Sequence, residues 1–155
     1  MFWVDGESQQ TVDILDRSFQ YGDGCFTTML VQDGQIQYFH DHQRRVDDCL
    51  KALRISELDW NTVNLWLDNA LEHIQHNAPP GTKSLDGSTN LQEKNKPHNE
   101  KAGLKLHVSR GAGGRGYSTK NIAKPTITIS TFDYPSHYFA WQDSGVELGI
   151  CQQAL

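Results

Sequence analysis

The chain has 155 residues, of which 37% are hydrophobic and 21% charged, so it can bury one moderate core. Its net charge of -5 argues against a surface for nucleic-acid phosphates, which requires clustered Lys and Arg. Cys25, Cys49 and Cys151 include no CxxC pair, so neither a disulfide framework nor a metal site is predicted. Because the sequence has neither a secretory leader nor a run of roughly 18 apolar residues, we expect a cytoplasmic protein.

Two β-hairpins are predicted within the first 40 residues. Asp5-Gly6 and Asp33-Gly34 are signals for tight turns, because Gly adopts a positive φ without steric cost. The expected strands around these turns are Phe2 to Val4 with Gln9 to Ile14, and Cys25 to Val31 with Gln35 to Phe39.

After the second hairpin, the periodicity changes from two residues to 3.6. Apolar residues recur at intervals of three and four from His40 to Leu53 and from Asp59 to Gln75, which predicts two amphipathic helices. Asp41 is placed to cap the first helix. Two further strands, Leu104 to Ser109 and Thr126 to Phe132, alternate polar and apolar residues. These elements predict an α/β (α+β) fold in which two helices pack on a sheet.

The segment from Asn77 to Gly103 is rich in Pro, Gly, Lys and Asn and poor in apolar residues. It cannot bury enough apolar surface to offset its ordering entropy, so we expect a mobile surface insertion. A last strand is expected from Val146 to Cys151. Because no element follows that strand, the chain is expected to be less than a complete domain.

Three stretches carry residues that suit binding or chemistry. The first, DRSFQYGDGCF, covers residues 16–26 and leads into a predicted strand. Local rules favour a structural turn there, in which Gly22 and Gly24 supply positive φ angles and Asp23 bonds its own backbone.

The second stretch is Arg44-Arg45 on the first predicted helix. Adjacent helical residues point about 100° apart, so only one of these arginines can face inward. Arg45 is the better candidate because Asp48 and Cys49 lie beside the buried face, and a guanidinium there can bind a phosphate in bidentate fashion. A surface ion pair between Arg45 and Asp48 is the alternative, and on the residues alone it is favoured.

The third stretch is glycine-rich and runs from Arg110 to Ser118, directly after a strand. Its glycines fit the dinucleotide pattern GxGxxG, but that pattern must open a helix, whereas Pro125 and a new strand follow too soon. A loop flanked by Arg110 and Arg115 instead offers backbone N–H groups and two positive charges to a small carboxylate or phosphate. A plain turn remains the alternative.

Together these stretches resemble the class IV aminotransferase-like enzymes of fold type IV, which use pyridoxal 5'-phosphate (PLP), and most closely their aminodeoxychorismate lyase branch. The resemblance rests mainly on GDGCFTT at 22–28, His42 with Arg45, and RGAGGRGYST at 110–119. It implies that residues 1–133 form the small N-terminal domain, an antiparallel sheet with two packed helices. Residues 134–155 are then the interdomain connection and the start of a truncated C-terminal domain, the rest of which is expected to be missing.

The resemblance also implies roles for individual residues. Arg45 matches the arginine that holds the cofactor phosphate. The residues matched to substrate binding are Phe26 and Thr28 on a strand that lines the pocket, and Arg110, Arg115 and Tyr117 on a loop that meets substrate carboxylates, often across a homodimer interface.

No catalytic residue is expected within the chain, because the resemblance places the Schiff-base lysine beyond Leu155. The chain alone is therefore expected to be inactive. For the full-length enzyme, the resemblance implies elimination of pyruvate from 4-amino-4-deoxychorismate to give 4-aminobenzoate, a folate precursor. A D-amino acid or branched-chain aminotransferase of the same fold, and a non-catalytic fragment that pairs with another subunit, are the alternatives.

Overall fold

The computed structural model describes residues 1–77, 101–120, 122 and 124–149. They form a six-stranded antiparallel sheet with the strand order β2-β1-β6-β5-β3-β4. The strands are β1 (Phe2–Val4), β2 (Glu7–Ser8), β3 (Gly24–Gln32), β4 (Gln35–Ile36), β5 (Lys101–Ser109) and β6 (Thr126–Asp133). The helices are α1 (Arg17–Tyr21), α2 (Phe39–Leu53), α3 (Trp60–Asn77) and α4 (His137–Ser144). The predicted antiparallel sheet with two packed helices is confirmed.

The hydrophobic core lies between one face of the sheet and helices α2 and α3. Strands β3 and β5 pair over their full lengths, from Gly24 opposite Ser109 to Gln32 opposite Lys101. Because side chains alternate along a strand, this register sends one set to the helices and the other to the opposite face. The buried set comprises Met29, Val31, Leu104, Leu106, Val108, Ile127 and Ile129 of the sheet with Val46, Leu50, Val63 and Leu67 of the helices. Each such side chain contributes about 1.5–3 kcal/mol through burial.

The opposite face of the sheet, called the open face below, carries the alternate residues of the same strands. Phe26 pairs with His107 and Thr28 with Lys105, so these four side chains share that face. Thr128 of β6 lies opposite His107 and extends the row. The core therefore fixes the strands, and through them it fixes the positions of the polar side chains on the open face.

The first hairpin is shorter than predicted. After the Asp5-Gly6 turn, β1 pairs with Glu7–Ser8, and the prediction of a strand from Gln9 to Ile14 is wrong. The reason is the length of β1, whose three residues are matched by the two residues of β2. The chain then runs along the open face toward α1, where residues 9–12 line a cleft.

The second hairpin is confirmed in its first strand but ends early in its second. Strand β4 stops at Ile36, because Tyr38 adopts the left-handed conformation (φ 54°) and α2 begins at Phe39. Asp41 does not cap this helix, contrary to prediction. It lies in the first turn, where its carboxylate accepts a hydrogen bond from Arg44 Nη2 at 2.9 Å.

The predicted boundaries of the polar insertion, Asn77 and Gly103, are wrong at both ends. Helix α3 continues to Asn77, and β5 begins at Lys101. Residues 101–103 pair with residues 30–32 of β3, so the strand partner outweighs the polar composition of this segment. The remainder, 78–100, lies outside the described residues.

The last predicted strand, Val146 to Cys151, is not formed at residues 146–149, and residues 150 and 151 lie outside the described part of the chain. Helix α4 precedes this segment and was not predicted. It ends at Ser144 and is capped by Gly145, whose N–H donates to the Trp141 carbonyl at 2.9 Å. The periodicity gave no signal because the apolar residues of α4 do not fall on one face, and none of its side chains is buried.

Candidate active site

Asp23 lies between α1 and β3, where two arginines hold it. The Nε groups of Arg17 and Arg110 both donate to Asp23 Oδ2 at 2.7 Å, and Arg110 Nη2 donates to Oδ1 at 3.0 Å. The three side chains are only 4% to 14% exposed. The hydrogen bond from Arg110, supported by that from Arg17, holds the pKa of Asp23 below its ordinary value against the opposing effect of burial. Asp23 is therefore ionised at neutral pH.

The prediction of a simple turn over residues 16–26 is wrong in part. Arg17–Tyr21 is a short helix, and the Asp23 carboxylate binds arginines instead of its own backbone. Gly22 ends α1 with a positive φ of 66°, as predicted, but Gly24 has no positive φ. Gly24 is needed for a different reason, because a Cβ there would lie 2.5 Å from the Val108 carbonyl oxygen.

The loop of residues 110–118, called the glycine-rich loop below, folds around Arg17. Arg17 donates from Nη2 to the Gly116 carbonyl at 3.1 Å and from Nη1 to the Ser118 carbonyl at 3.2 Å. Its guanidinium also lies over the Tyr21 ring, 4.7 Å from the centroid. The Gly116 N–H donates to the Tyr21 hydroxyl at 3.2 Å. The sequence reasoning missed this role of Arg17, because nothing local pairs residue 17 with a loop almost 100 residues later.

Arg110 is bound mainly by the protein's own groups. Besides contacting Asp23, it donates from Nη2 to the Leu53 carbonyl at 2.7 Å and from Nη1 to the Arg54 carbonyl at 2.9 Å. Four of its five N–H groups are therefore used, and they fix the base of the loop against the C-terminal end of α2. This leaves a single N–H for the substrate carboxylate that the sequence analysis assigned to Arg110.

Arg115 and Tyr117 stand at the tip of the glycine-rich loop. Both side chains are exposed, and that of Tyr117 is fully so. The Ser118 N–H donates to the Arg115 carbonyl at 3.2 Å, which closes the tip into a turn. No hydrogen bond or ion pair among the described residues uses the Arg115 guanidinium. Both side chains are thus available to a ligand or to another subunit.

Phe26 and Thr28 lie next to each other on the open face of β3. The Lys105 ammonium lies 4.3 Å from the centroid of the Phe26 ring, within range of a cation–π contact. Lys105 also lines a cleft of about 540 Å³ formed by β1, β5, β6, α1 and the segment before α1. Phe26 and Thr28 do not themselves line this cleft; they are next to it through Lys105, which contacts the Phe26 ring and lies opposite Thr28.

A polar cluster that the sequence reasoning missed lies in the same cleft. His107 Nε2 is 2.7 Å from Ser18 Oγ, and His107 Nδ1 is 3.4 Å from Thr128 Oγ1. The Asp16 carboxylate accepts from the Ser18 N–H at 2.9 Å and caps α1. Burial lowers the pKa of His107 despite the neighbouring Asp16 charge, so the imidazole is neutral at pH 7. The alternation along β5 predicts on which face of the sheet His107 lies, but it does not predict the contacts with Ser18 and Thr128.

The two arginines of α2 have different surroundings. Arg44 forms an exposed ion pair with Asp41 at 2.9 Å. None of the ion pairs in the described parts of the chain joins Arg45 to Asp48, so the surface-pair alternative finds no support. Arg45 is exposed like Arg44, so the prediction that it faces inward is wrong; Val46 and Leu50 occupy the buried face of α2. The Arg45 side chain has no ion-pair partner within these residues, which suits an arginine that binds an anionic ligand.

Two titratable groups near Arg45, His42 and Cys25, are neutral at pH 7, whereas Asp41 and Asp48 of the same helix carry negative charge. His42 Nδ1 lies 2.7 Å from Thr27 Oγ1, and burial followed by the Arg45 charge lowers the pKa of His42. Burial, assisted by a hydrogen bond with Cys49, raises the pKa of the Cys25 thiol to about 12. Neither neutral group cancels the positive charge of Arg45, which acts on both of them.

Two further classes of site find no support within the described residues. No group of three or more His, Cys, Asp and Glu is placed to hold a metal ion. None of the helices in those parts of the chain is long and apolar enough to cross a membrane.

An aminodeoxychorismate lyase from Vibrio harveyi is 42% identical to the chain over all 155 residues. The chain matches the N-terminal part of an aminodeoxychorismate lyase. It spans 48% of the length of that lyase, or about half. No family model matches the chain.

Solved structures show the same domain of the lyase and its fold relatives. A 4-amino-4-deoxychorismate lyase from Pseudomonas aeruginosa is 26% identical, with a TM-score of 0.65 over 92% of this chain and 44% of its own. A hypothetical aminotransferase from Mycobacterium tuberculosis in a PLP-bound form is 19% identical, with a TM-score of 0.68 over 92% of this chain and 43% of its own. The latter likeness shows the fold alone, which is the N-terminal domain of the fold type IV PLP enzymes.

Proposed function

We propose that the chain is the N-terminal domain of a PLP-dependent 4-amino-4-deoxychorismate lyase, which releases pyruvate and forms 4-aminobenzoate. Residues 1–133 form this domain, and 134–155 lead to a C-terminal domain that completes the active site. The observation that carries the proposal is the 42% identity to a lyase over the whole chain. The ion pair of Asp23 with Arg110, which joins residues 16–26 to the glycine-rich loop, supports it.

Arg45 holds the phosphate of PLP in this proposal. Its exposed guanidinium has no ion-pair partner among the described residues, so a phosphate adds a charge-assisted bidentate contact without displacing an internal one. Strand β4 covers only Val31 and Gln32 of β3. The remaining outer edge of β3 has no strand partner in the described structure, and a cofactor there can meet Arg45 from the helix side and Phe26 from the open face.

Substrate binding is assigned to the open face and the loop tip. Phe26 and Thr28 line the pocket, while Arg115 and Tyr117 meet the substrate carboxylates, in a homodimer from the partner subunit. Bound PLP supplies the electron sink that lets the substrate α-proton leave. Arg110 acts on this site by holding the loop, because its own donors are largely used. The lysine that attaches the cofactor is assigned to the C-terminal domain.

The test is product analysis with the whole protein loaded with PLP. Incubated with 4-amino-4-deoxychorismate, it is expected to release pyruvate and 4-aminobenzoate in equal amounts. Arg115→Ala is expected to raise KM by about 10- to 100-fold, the loss of one charge-assisted pair. An aminotransferase with this fold would instead pass the amino group to a keto acid, so amino transfer without pyruvate release contradicts the proposal.

A further inference from the structure

Asp23 connects two parts of the chain that are far apart in sequence. On one side it binds Arg17, which donates to the carbonyls of Gly116 and Ser118 near the tip of the glycine-rich loop. On the other side it binds Arg110, which donates to two carbonyls at the C-terminal end of α2. An unbroken series of charge-assisted hydrogen bonds therefore runs from the loop tip to the helix end.

The two ends of this series carry different functional groups. The loop tip presents Arg115 and Tyr117, and α2 carries Arg45. We propose that Asp23 is a positioning residue that sets the substrate-binding loop and the phosphate-binding helix in a fixed relation to each other. This inference rests on the proposed function for the roles of the two ends, whereas the mechanical link depends only on the contacts.

The carboxylate is required because two guanidinium groups share it. The Nε atoms of Arg17 and Arg110 donate to the same oxygen, Oδ2, and all three side chains are largely buried. An asparagine whose oxygen takes the Oδ2 position can still accept from both Nε groups, but it is neutral and turns a donor NH₂ toward Arg110 Nη2, which donates to Oδ1 in the wild type. The substitution Asp23→Asn also leaves the positive charges of Arg17 and Arg110 close together without a counter-ion.

Backbone contacts keep the base of the loop in place without the carboxylate. The Arg17 N–H donates to the Gly111 carbonyl at 3.0 Å, and the Arg110 N–H donates to the Asp23 carbonyl at 3.1 Å. Removal of the Asp23 charge is therefore expected to free the loop tip and the helix end while the sheet remains folded.

Amide hydrogen exchange of this chain tests the link without requiring activity. Asp23→Asn is expected to speed exchange at least 10-fold both at the tip amides of Gly116 and Ser118 and at the α2 end, at Arg54 and Ile55. The matched control is Asp41→Asn, which removes an exposed Asp–Arg pair. A response at only one end, at neither end, or equally in the control overturns the proposal.

Circular dichroism shows whether Asp23→Asn folds. If it does not fold, a second variant, Asp23→Glu, tests the link. Asp23→Glu retains the charge on a longer side chain, so it is expected to fold and to show a smaller increase in exchange at both ends. An increase confined to one end overturns the link.

Kinetics of the PLP-loaded whole protein test whether Asp23 couples substrate binding at the loop tip to cofactor binding at α2. Asp23→Asn is expected to raise KM and the PLP dissociation constant together, whereas Arg115→Ala raises only KM and Arg45→Ala chiefly the dissociation constant. If the whole protein lacks lyase activity, the proposed function fails, and the exchange result still decides the link. If it is active and Asp23→Asn alters only one constant, the coupling role is overturned.

Discussion

Arg44 and Arg45 are neighbours on α2, yet only Arg44 has a carboxylate partner among the described residues. Arg45→Ala in the PLP-loaded whole protein is therefore expected to weaken cofactor retention by about 10- to 100-fold, the effect of losing a charge-assisted phosphate contact. The measurement is PLP titration followed by its absorbance. Arg44→Ala is the matched control, since it removes the same charge one residue away. Equal effects of the two substitutions would contradict the assignment of the phosphate to Arg45.

His107 is a residue whose environment predicts a pH dependence. Burial lowers its folded-state pKa, the Asp16 charge opposes this, and Lys105 adds to it. Below about pH 6.5, the unfolded imidazole binds a proton that the folded one resists. Stability is therefore full above that pH and falls as the pH drops toward the lower folded-state pKa.

The expected result concerns urea unfolding of the chain between pH 7.5 and pH 5. His107→Gln retains a side-chain hydrogen-bonding group for Ser18 but does not titrate, so it should lose less stability over this interval than the wild type. His42, whose pKa is also lowered, is present in both proteins and cancels in the comparison. Parallel pH profiles for the two proteins would show that His107 does not titrate differently in the folded state.

At the scale of an element, the glycine-rich loop depends on glycines of two kinds. Gly111 has a φ of 107°, and a Cβ there would overlap the Lys124 carbonyl oxygen, whereas Gly116 has a φ of 59° with open space around it. Gly111→Ala is thus expected to lower the free energy of unfolding by more than about 2 kcal/mol, and Gly116→Ala by about 1 kcal/mol. Urea unfolding of both variants measures the difference. A smaller effect at Gly111 than at Gly116 would mean that the loop shifts to accommodate the added methyl group.

At the scale of the whole molecule, the chain represents about half the length of the lyase it matches. Purified as residues 1–155, it is expected to attach no PLP covalently at a single lysine. Such attachment requires a partly deprotonated amine, whereas a free lysine has a pKa of about 10.4 unless burial or a nearby cation lowers it. Among the described lysines, Lys51, Lys120 and Lys124 are exposed.

Borohydride reduction followed by peptide mass spectrometry is the measurement for this prediction. The whole protein is the positive control, and its label is expected on one lysine outside residues 1–155. Stoichiometric labelling of one lysine within the chain, together with pyruvate release, would disprove the assignment of that lysine to the C-terminal domain. Weak labelling scattered over several lysines would not, because any exposed amine reacts slowly with an aldehyde.

The local sequence determined those helices and strands whose periodicity or turn residues lie within the element itself. The stripes of Val46, Leu50, Val63 and Leu67 predicted α2 and α3, since one helical face must be buried. The Asp33-Gly34 turn and the β-forming residues before it predicted β3, and alternation predicted β5 and β6, each to within a few residues at its ends. The motif at 22–28 and the glycine-rich loop indicated a candidate site only through the family resemblance, because local rules favoured a structural turn in the first stretch and left a plain turn open in the loop.

The tertiary structure decided which groups meet. Arg17, Asp23 and Arg110 come together only because the pairing of β3 with β5 places Gly24 opposite Ser109. The same register places His107 within reach of Ser18. Periodicity gives the face on which a strand residue lies, but its neighbours across the sheet depend on strand order and register. Those are set by the packing of the entire core, which no local pattern contains.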